Sequence, residues 1–329
     1  MQTQQMDSPK MEAQPLISFI VTCYNLPPDM LKECIGSILA LPLNGNEREI
    51  ILVDDGSDEN PMDGLGEWRA QLTYVRQQNG GVSVARNTGI RLCRGTYIQF
   101  VDGDDTLIPA QYERCIQLVR EKQPDMVLFH LTEKKKTDVS PLSEELTDGT
   151  SYMRHNNLRA SVCGYVFRKS LLIDLEFSRG TVYSEDEEFT ALLMLRTERL
   201  YETNIVAYYY RRRSSSVTSD HSREGIQKRL SDSLGVMVRL SDKAEILPFE
   251  EREALRRRVS QLTMDYIFNV ITLTRNSRYL EQCVSELKKR NLFPLSKHNY
   301  TDKYKWFRRI SSTKAGRLIL CKTLRRKDR

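Results

Sequence analysis

Histidine is scarce in this chain: four in 329 residues, none at a paired spacing with another histidine or with a cysteine. The seven cysteines contain no Cys-x-x-Cys pair. A zinc site is therefore excluded, and the odd cysteine count points to free thiols in a reducing compartment. No Gly-x-Gly-x-x-Gly follows a strand, which argues against a dinucleotide oxidoreductase. Thr22-Cys23-Tyr24-Asn25, after the first apolar run, is no glycine-rich phosphate loop with a basic residue, which argues against a nucleotidylyltransferase. No apolar run approaches the ~20 residues needed to cross a bilayer. The first 15 residues, rich in Gln and Met, lack the apolar core of a signal peptide and read as a disordered segment.

What is present is a soluble composition long enough for a catalytic-size domain plus an appendage. Its net charge of +6 is unevenly spread: residues 222–329 hold 26 Lys and Arg against 12 Asp and Glu, whereas residues 1–221 hold 24 against 32. The basic character belongs to the C-terminal third. No aromatic-interleaved recognition motif accompanies it, so nucleic-acid binding is not expected.

Leu16 to Cys23 reads as a strand buried on both faces, followed by an amphipathic helix that Pro27, Pro28 and Asp29 start. Strands are also predicted at Glu49–Val53, Leu72–Arg76 and Tyr97–Val101, with a short helix around Ala85-Arg86-Asn87. This alternation predicts an α/β fold with a mainly parallel sheet whose ligands lie beyond the carboxyl ends of its strands. Further on, the pattern gives a helix over 109–121, a strand from Asp125 to His130, an exposed loop or hairpin over 132–150, an apolar element over 164–175 and a strand over 201–210. Ser184 with Glu187 fits a capping box opening a helix, and from about Arg223 onward the pattern is helical. The expected division is a disordered 1–15, a catalytic domain over 16–221 and a basic helical region over 222–329.

The stretch Tyr97 to Asp105 carries the sharpest chemistry. A buried strand runs into three carboxylates set around Gly103. In extended backbone, residues i and i+2 point the same way, so Asp102 and Asp104 can aim at one point, where a divalent cation would relieve their repulsion. Gly103 would let a ligand approach the backbone. An acidic β-turn is the competing reading of the same residues.

Taken in order, Ile20-Val21-Thr22-Cys23-Tyr24-Asn25, Val53-Asp54-Asp55-Gly56-Ser57, Asn79 to Gly89, Phe100-Val101-Asp102-Gly103-Asp104-Asp105 and Glu185-Asp186 resemble the inverting glycosyltransferases of family 2, of the bacterial surface-polysaccharide type. The resemblance covers about residues 17–218. It implies a GT-A nucleotide-diphospho-sugar transferase fold, a donor that is most often a UDP-sugar, and a bound Mn or Mg ion. It further implies that Asp55 accepts a hydrogen bond from the uracil ring, with Thr22 and Tyr24 beside the base, and that Asn79 and Arg86 line the nucleotide site. Asp102 would face ribose and metal, Asp104 would coordinate the metal, and Arg211, Arg213 and Ser216 would contact the diphosphate. Asp186 is the expected base, kept ionised by the helix dipole, with Glu185 its first substitute. His221 stands where some relatives place a third metal ligand. Many relatives carry Trp-x-Lys where this chain reads Cys163-Gly164-Tyr165, which leaves the contacts to sugar and acceptor open.

The function expected is hexosyl or N-acetylhexosaminyl transfer to a saccharide or lipid-linked saccharide in cell-surface polysaccharide synthesis, in the cytoplasm. A catalytically inactive nucleotide-sugar-binding or scaffold protein of the same fold is the alternative, against which the intact Asp55, Asp102, Asp104 and Asp186 argue. Residues 295–329, with 12 Lys and Arg against two Asp and with aromatic and aliphatic residues between them, have the makings of a contact with an anionic membrane surface on the inner face of the plasma membrane.

Overall fold

The computed structural model describes residues 14–134, 140–213, 220, 222–298 and 300–324. Its strands are β1 (Ile17–Cys23), β2 (Arg48–Asp54), β3 (Thr73–Arg76), β4 (Tyr97–Asp102), β5 (Thr106–Leu107), β6 (Met126–Thr132), β7 (Glu144–Thr147), β8 (Tyr165–Arg168) and β9 (Leu200–Tyr209). Its helices are α1 (Pro28–Leu39), α2 (Val82–Leu92), α3 (Pro109–Lys122), α4 (Gly149–His155), α5 (Glu185–Met194), α6 (Arg223–Glu245), α7 (Phe249–Thr274), α8 (Ser277–Lys289), α9 (Asp302–Ser311) and α10 (Lys314–Thr323).

The strands form one sheet in the order β3-β2-β1-β4-β8-β6-β9-β5, with β7 pairing β9. The run β3-β2-β1-β4 is parallel throughout. Its apolar strands are buried on both faces because helices cover both sides. Beyond β4 the sheet is mixed: β8 is antiparallel to both β4 and β6, while β6 and β9 are parallel. Within the predicted loop over 132–150, β7 adds an exposed antiparallel strand to β9.

Parallel pairing brings the carboxyl ends of β1, β2 and β4 to one edge. Cys23 lies opposite Asp54, and Thr22 opposite both Val53 and Asp102. α2 seats directly on the middle of β1: a Cβ on Gly89 would stand 2.2 Å from Cγ2 of Ile20, so only glycine lets the helix lie there. α6 and α7 pack on each other, and α7 also covers α4. Leu230, Val236, Met237 and Leu240 of α6, with Leu255, Val259, Tyr266 and Ile267 of α7, join the same buried cluster as the sheet. The basic helical region thus shares the core of the α/β part.

Candidate active site

Asp54 and Asp55, adjacent in sequence, have separate duties. Asp54 is fully buried and accepts from the Ser57 amide at 2.9 Å and the Tyr74 hydroxyl at 3.1 Å, which fixes the turn after β2. Asp55 accepts from Gln77 Nε2 at 2.7 Å and from the amides of Gly80 and Gly81 at 2.9 and 2.8 Å. A carboxylate has about four lone-pair directions, so Asp55 both shapes the 77–81 turn and keeps one direction for a ligand donor. Thr22 is half-buried, Tyr24 is 50% exposed and Asn79 is exposed, all at this end of the sheet.

Arg86 is the hub of the site. An arginine on an amphipathic helix ordinarily reaches solvent, yet this side chain is only 4% exposed. Its Nη2 meets Asp102 Oδ1 at 3.1 Å, while Nη1 meets Asp186 Oδ1 at 2.5 Å and Glu185 Oε1 at 3.3 Å. Its guanidinium also lies 5.2 Å from the Phe177 ring centre. The neighbouring Asn87 fixes that support by bonding both the amide and the carbonyl of Phe177, at 2.8 and 2.9 Å. Phe177 in turn stacks on Phe189 of α5 at 3.8 Å. One cation therefore joins the carboxylate at the end of β4 to the two that open α5. Burial pushes Glu185 up to about 8, with the Asp186 charge adding to it and Arg86 opposing. Asp186 is also raised, by burial against the pull of Arg86. Lost solvation thus raises the proton affinity of Asp186 at the start of α5.

The acidic run 185–188 is divided among several partners. Glu185 and Asp186 face Arg86, Glu187 pairs with Arg258 of α7, and Glu188 takes a two-pronged contact from Arg239 of α6, at 2.7 and 2.6 Å. The predicted capping box does not form. Ser184 sits at φ +67° with its hydroxyl 2.9 Å from that of Ser233, and Glu187 is drawn toward the buried Arg258 of α7. The loop before α5 is instead held by Asp232, which accepts from the amides of Val182 and Tyr183 at 2.8 and 3.2 Å.

The Asp102–Asp105 segment departs from the extended-strand expectation. β4 ends at Asp102, and the chain turns at 103–104, the Asp105 amide bonding the Asp102 carbonyl at 2.9 Å. Alternation no longer applies, and the two carboxylates find different cations: Arg86 for Asp102, Arg213 Nε for Asp104 at 2.6 Å. Gly103 is required for packing, because a Cβ there would stand 2.8 Å from Leu26 Cδ1 and 2.9 Å from the Thr22 carbonyl. Asp105, left without a role by the sequence, accepts from the Tyr208 hydroxyl at 2.9 Å and the Arg211 amide at 2.7 Å. Tyr208 in turn accepts from the Asp102 amide at 3.1 Å. Burial, with Asp102 adding to it, pushes Asp105 up to about 8. The Arg211 side chain pairs with Glu33. Ser216 and His221 lie outside the described residues, as does nearly all of the segment 1–15.

Among the described residues no group of three His, Cys, Asp or Glu side chains could enclose a metal ion. Asp102 and Asp104 nonetheless suit a cation that takes only part of its shell from protein. Both are partly open, at 34% and 20% exposure. Burial raises Asp104, and the Asp102 charge raises it further despite Arg213. If a divalent ion binds here, Asp102 and Asp104 would be its ligands from the protein, and such oxygen donors would suit Mg or Mn better than zinc.

Residues 18–166 match the family described as glycosyl transferase family 2. The chain is 32% identical over 220 residues to the uncharacterized glycosyltransferase EpsJ of Bacillus subtilis. That alignment covers 62% of this chain and 63% of EpsJ, so it spans less than two thirds of the relative. Among solved structures, residues 1–349 of S. aureus TarS superpose with a TM-score of 0.60 at 18% identity, covering 90% of this chain and 91% of that one. The same fragment in complex with UDP-GlcNAc gives a TM-score of 0.53 at 17% identity and the same coverage. The mannosyltransferase PcManGT of Pyrobaculum calidifontis, in complex with GDP-Man and Mn2+, gives 0.55 at 14% identity, covering 97% of this chain and 89% of that one. At these identities the structural likeness is one of fold.

Proposed function

We propose, from the match of residues 18–166 to glycosyl transferase family 2, that the chain moves a hexosyl or N-acetylhexosaminyl group from a UDP-sugar to a saccharide hydroxyl with inversion, in the synthesis of a surface polysaccharide. The observation that carries this reading is the Arg86 bridge, which sets the donor-side Asp102 and the base candidate Asp186 on one guanidinium. The acceptor oxygen bonds to the anomeric carbon as the bond from that carbon to the diphosphate oxygen breaks. The hydroxyl proton passes to an Asp186 oxygen, and UDP leaves with the bonding electrons.

Asp186 suits this duty because its raised proton affinity makes it a better acceptor than a free aspartate, while about a quarter of its side chain remains open to a substrate. Asp55 receives the base of the nucleotide, beside Thr22, Tyr24 and Asn79. Arg213 and Arg211 stand beside the acidic turn, where a diphosphate would exchange places with their carboxylate partners. A divalent ion held by Asp102 and Asp104 would supply charge neutralisation for the departing diphosphate. The Mn2+ bound with GDP-Man in the mannosyltransferase and the UDP-GlcNAc bound to the TarS fragment support this choice of ligands.

Calorimetric titration of UDP in the presence of Mn tests the assignment. The wild-type chain is expected to bind, and Asp104→Ala to bind at least about tenfold more weakly, corresponding to the loss of one charged ligand. Equal affinities would remove Asp104 from the metal site.

A further inference from the structure

The last two helices divide their apolar residues between two destinations. Tyr304, Phe307 and Leu320 turn inward and are buried, with Phe307 in edge contact with Phe268 of α7. Trp306, Leu318 and Ile319 turn outward and are 54%, 45% and 56% exposed. A single exposed Leu is ordinary, but a Trp and two large aliphatics about half exposed on the outer faces of a packed helix pair stand out among the described residues. Cations surround them. Lys305 and Arg309 flank Trp306 on the exposed side of α9, and Lys322 follows Leu318 and Ile319 one turn on along α10, with Lys314 exposed at the start of that helix. Residues 300–324 hold seven Lys and Arg against one acid, Asp302. Arg317, the cation that faces inward, is neutralised by Glu281 of α8 at 2.7 and 2.6 Å, and Lys314 also lies in the field of Glu281, while Asp302 is the one acid that α9 and α10 themselves carry.

From this arrangement we infer that the outer faces of α9 and α10 dock on an anionic lipid bilayer. Trp306, Leu318 and Ile319 enter the headgroup boundary, and Lys305, Arg309, Lys314 and Lys322 meet the lipid phosphates. Charge complementarity selects an anionic partner, and the outward Trp and aliphatics select a bilayer over a nucleic acid, because only the bilayer offers them an apolar phase. No described helix is long and apolar enough to cross a membrane, so the contact is a surface one. Each cation near an anionic surface is worth about fivefold in partitioning, and the contact is screened by salt within a Debye length of ~10 Å at 0.1 M.

The inference is independent of the proposed sugar transfer, and its test reads lipid binding alone. The full chain is sedimented with phosphatidylcholine vesicles with and without phosphatidylglycerol, at low and high salt. Binding is expected only with phosphatidylglycerol and to fall as salt rises. The triple variant Trp306→Ala, Leu318→Ser, Ile319→Ser and the pair Lys305→Glu, Arg309→Glu are each expected to lose about tenfold or more in partitioning. Because all five residues are exposed, melting temperature is expected to stay at the wild-type value in both variants. A full chain that ignores anionic vesicles at low salt overturns the inference. So does undiminished binding by the triple variant, which would leave the cations free to serve some other polyanion. Concentration-dependent self-association that the triple variant abolishes, without vesicle binding, would assign the face to a second copy of the chain and overturn it equally.

Discussion

At the scale of single residues the site turns on how one guanidinium is shared. Arg86 satisfies Asp102, Glu185 and Asp186 at once, a task for a planar fork that a lysine point charge cannot copy. Arg86→Lys is expected to weaken donor binding and turnover together, because both carboxylate groups lose their common reference. Asp186→Asn is expected to differ. It leaves Arg86 with two carboxylates, keeps donor affinity near wild type and lowers kcat by about a hundredfold or more, since a base acts on the transition state. Transfer assays paired with UDP calorimetry separate the two patterns, and full activity in Asp186→Asn would move the base to Glu185. That Glu185 and Asp186 open a helix was legible in the sequence because an acidic run after an apolar element marks a helix start. Arg86 was legible as a site residue but not as a buried one, since its partners come from positions 16 and 100 residues away. Tyr208 gave no signal at all. In an apolar, tyrosine-rich strand nothing marks the hydroxyl that links Asp102 to Asp105.

At the scale of elements, α5 is the piece whose placement decides the chemistry, and it is held from outside the α/β part. Arg239 of α6 grips Glu188, Arg258 of α7 pairs with Glu187, and Asp232 of α6 anchors the preceding loop. Arg239→Ala would leave a mostly buried carboxylate without its two-pronged partner, a loss of about 1–3 kcal/mol. A lower melting temperature is expected, with kcat reduced and donor affinity kept. The double change Glu188→Gln, Arg239→Gln should cost less than the sum of the two single changes, which a double-mutant cycle measures. Additive costs would mean that the pair is not coupled. The parallel strands and their polar ends could be read from apolar runs that stop at Asp or Asn. The predicted capping box failed because a capping pattern describes only local bonds, and here distant cations compete for the same carboxylate.

At the scale of the molecule, the basic helical third is joined to the catalytic part through a shared core. Deleting residues 295–329 would therefore expose the surfaces that Tyr304, Phe307 and Leu320 now cover. At roughly 1.5–3 kcal/mol for each large side chain, the loss rivals a typical total stability of ~5–15 kcal/mol. The truncated chain is expected to melt well below the full one or to aggregate, and thermal unfolding followed by circular dichroism checks this. The inward and outward faces of α9 and α10 could not be told apart in the sequence, because both carry aromatics and the choice depends on where α7 and α8 lie.

All seven cysteines are unpaired, and all but Cys321 are buried. Cys34 and Cys163 lie within the field of the acidic motif, where burial first and the carboxylate charges after it hold both thiols far from ionisation, whereas Cys283 belongs to α8. Nature has thereby left the fold with built-in clocks: a thiol reagent can reach each sulfur only while its surroundings are open, so the rate of modification times that opening. A bound nucleotide should slow the clocks beneath the site, Cys34 and Cys163, more than the one at Cys283. Mass spectrometry of alkylated peptides would read them separately, and equal slowing at all three would mean that the molecule opens as a single unit.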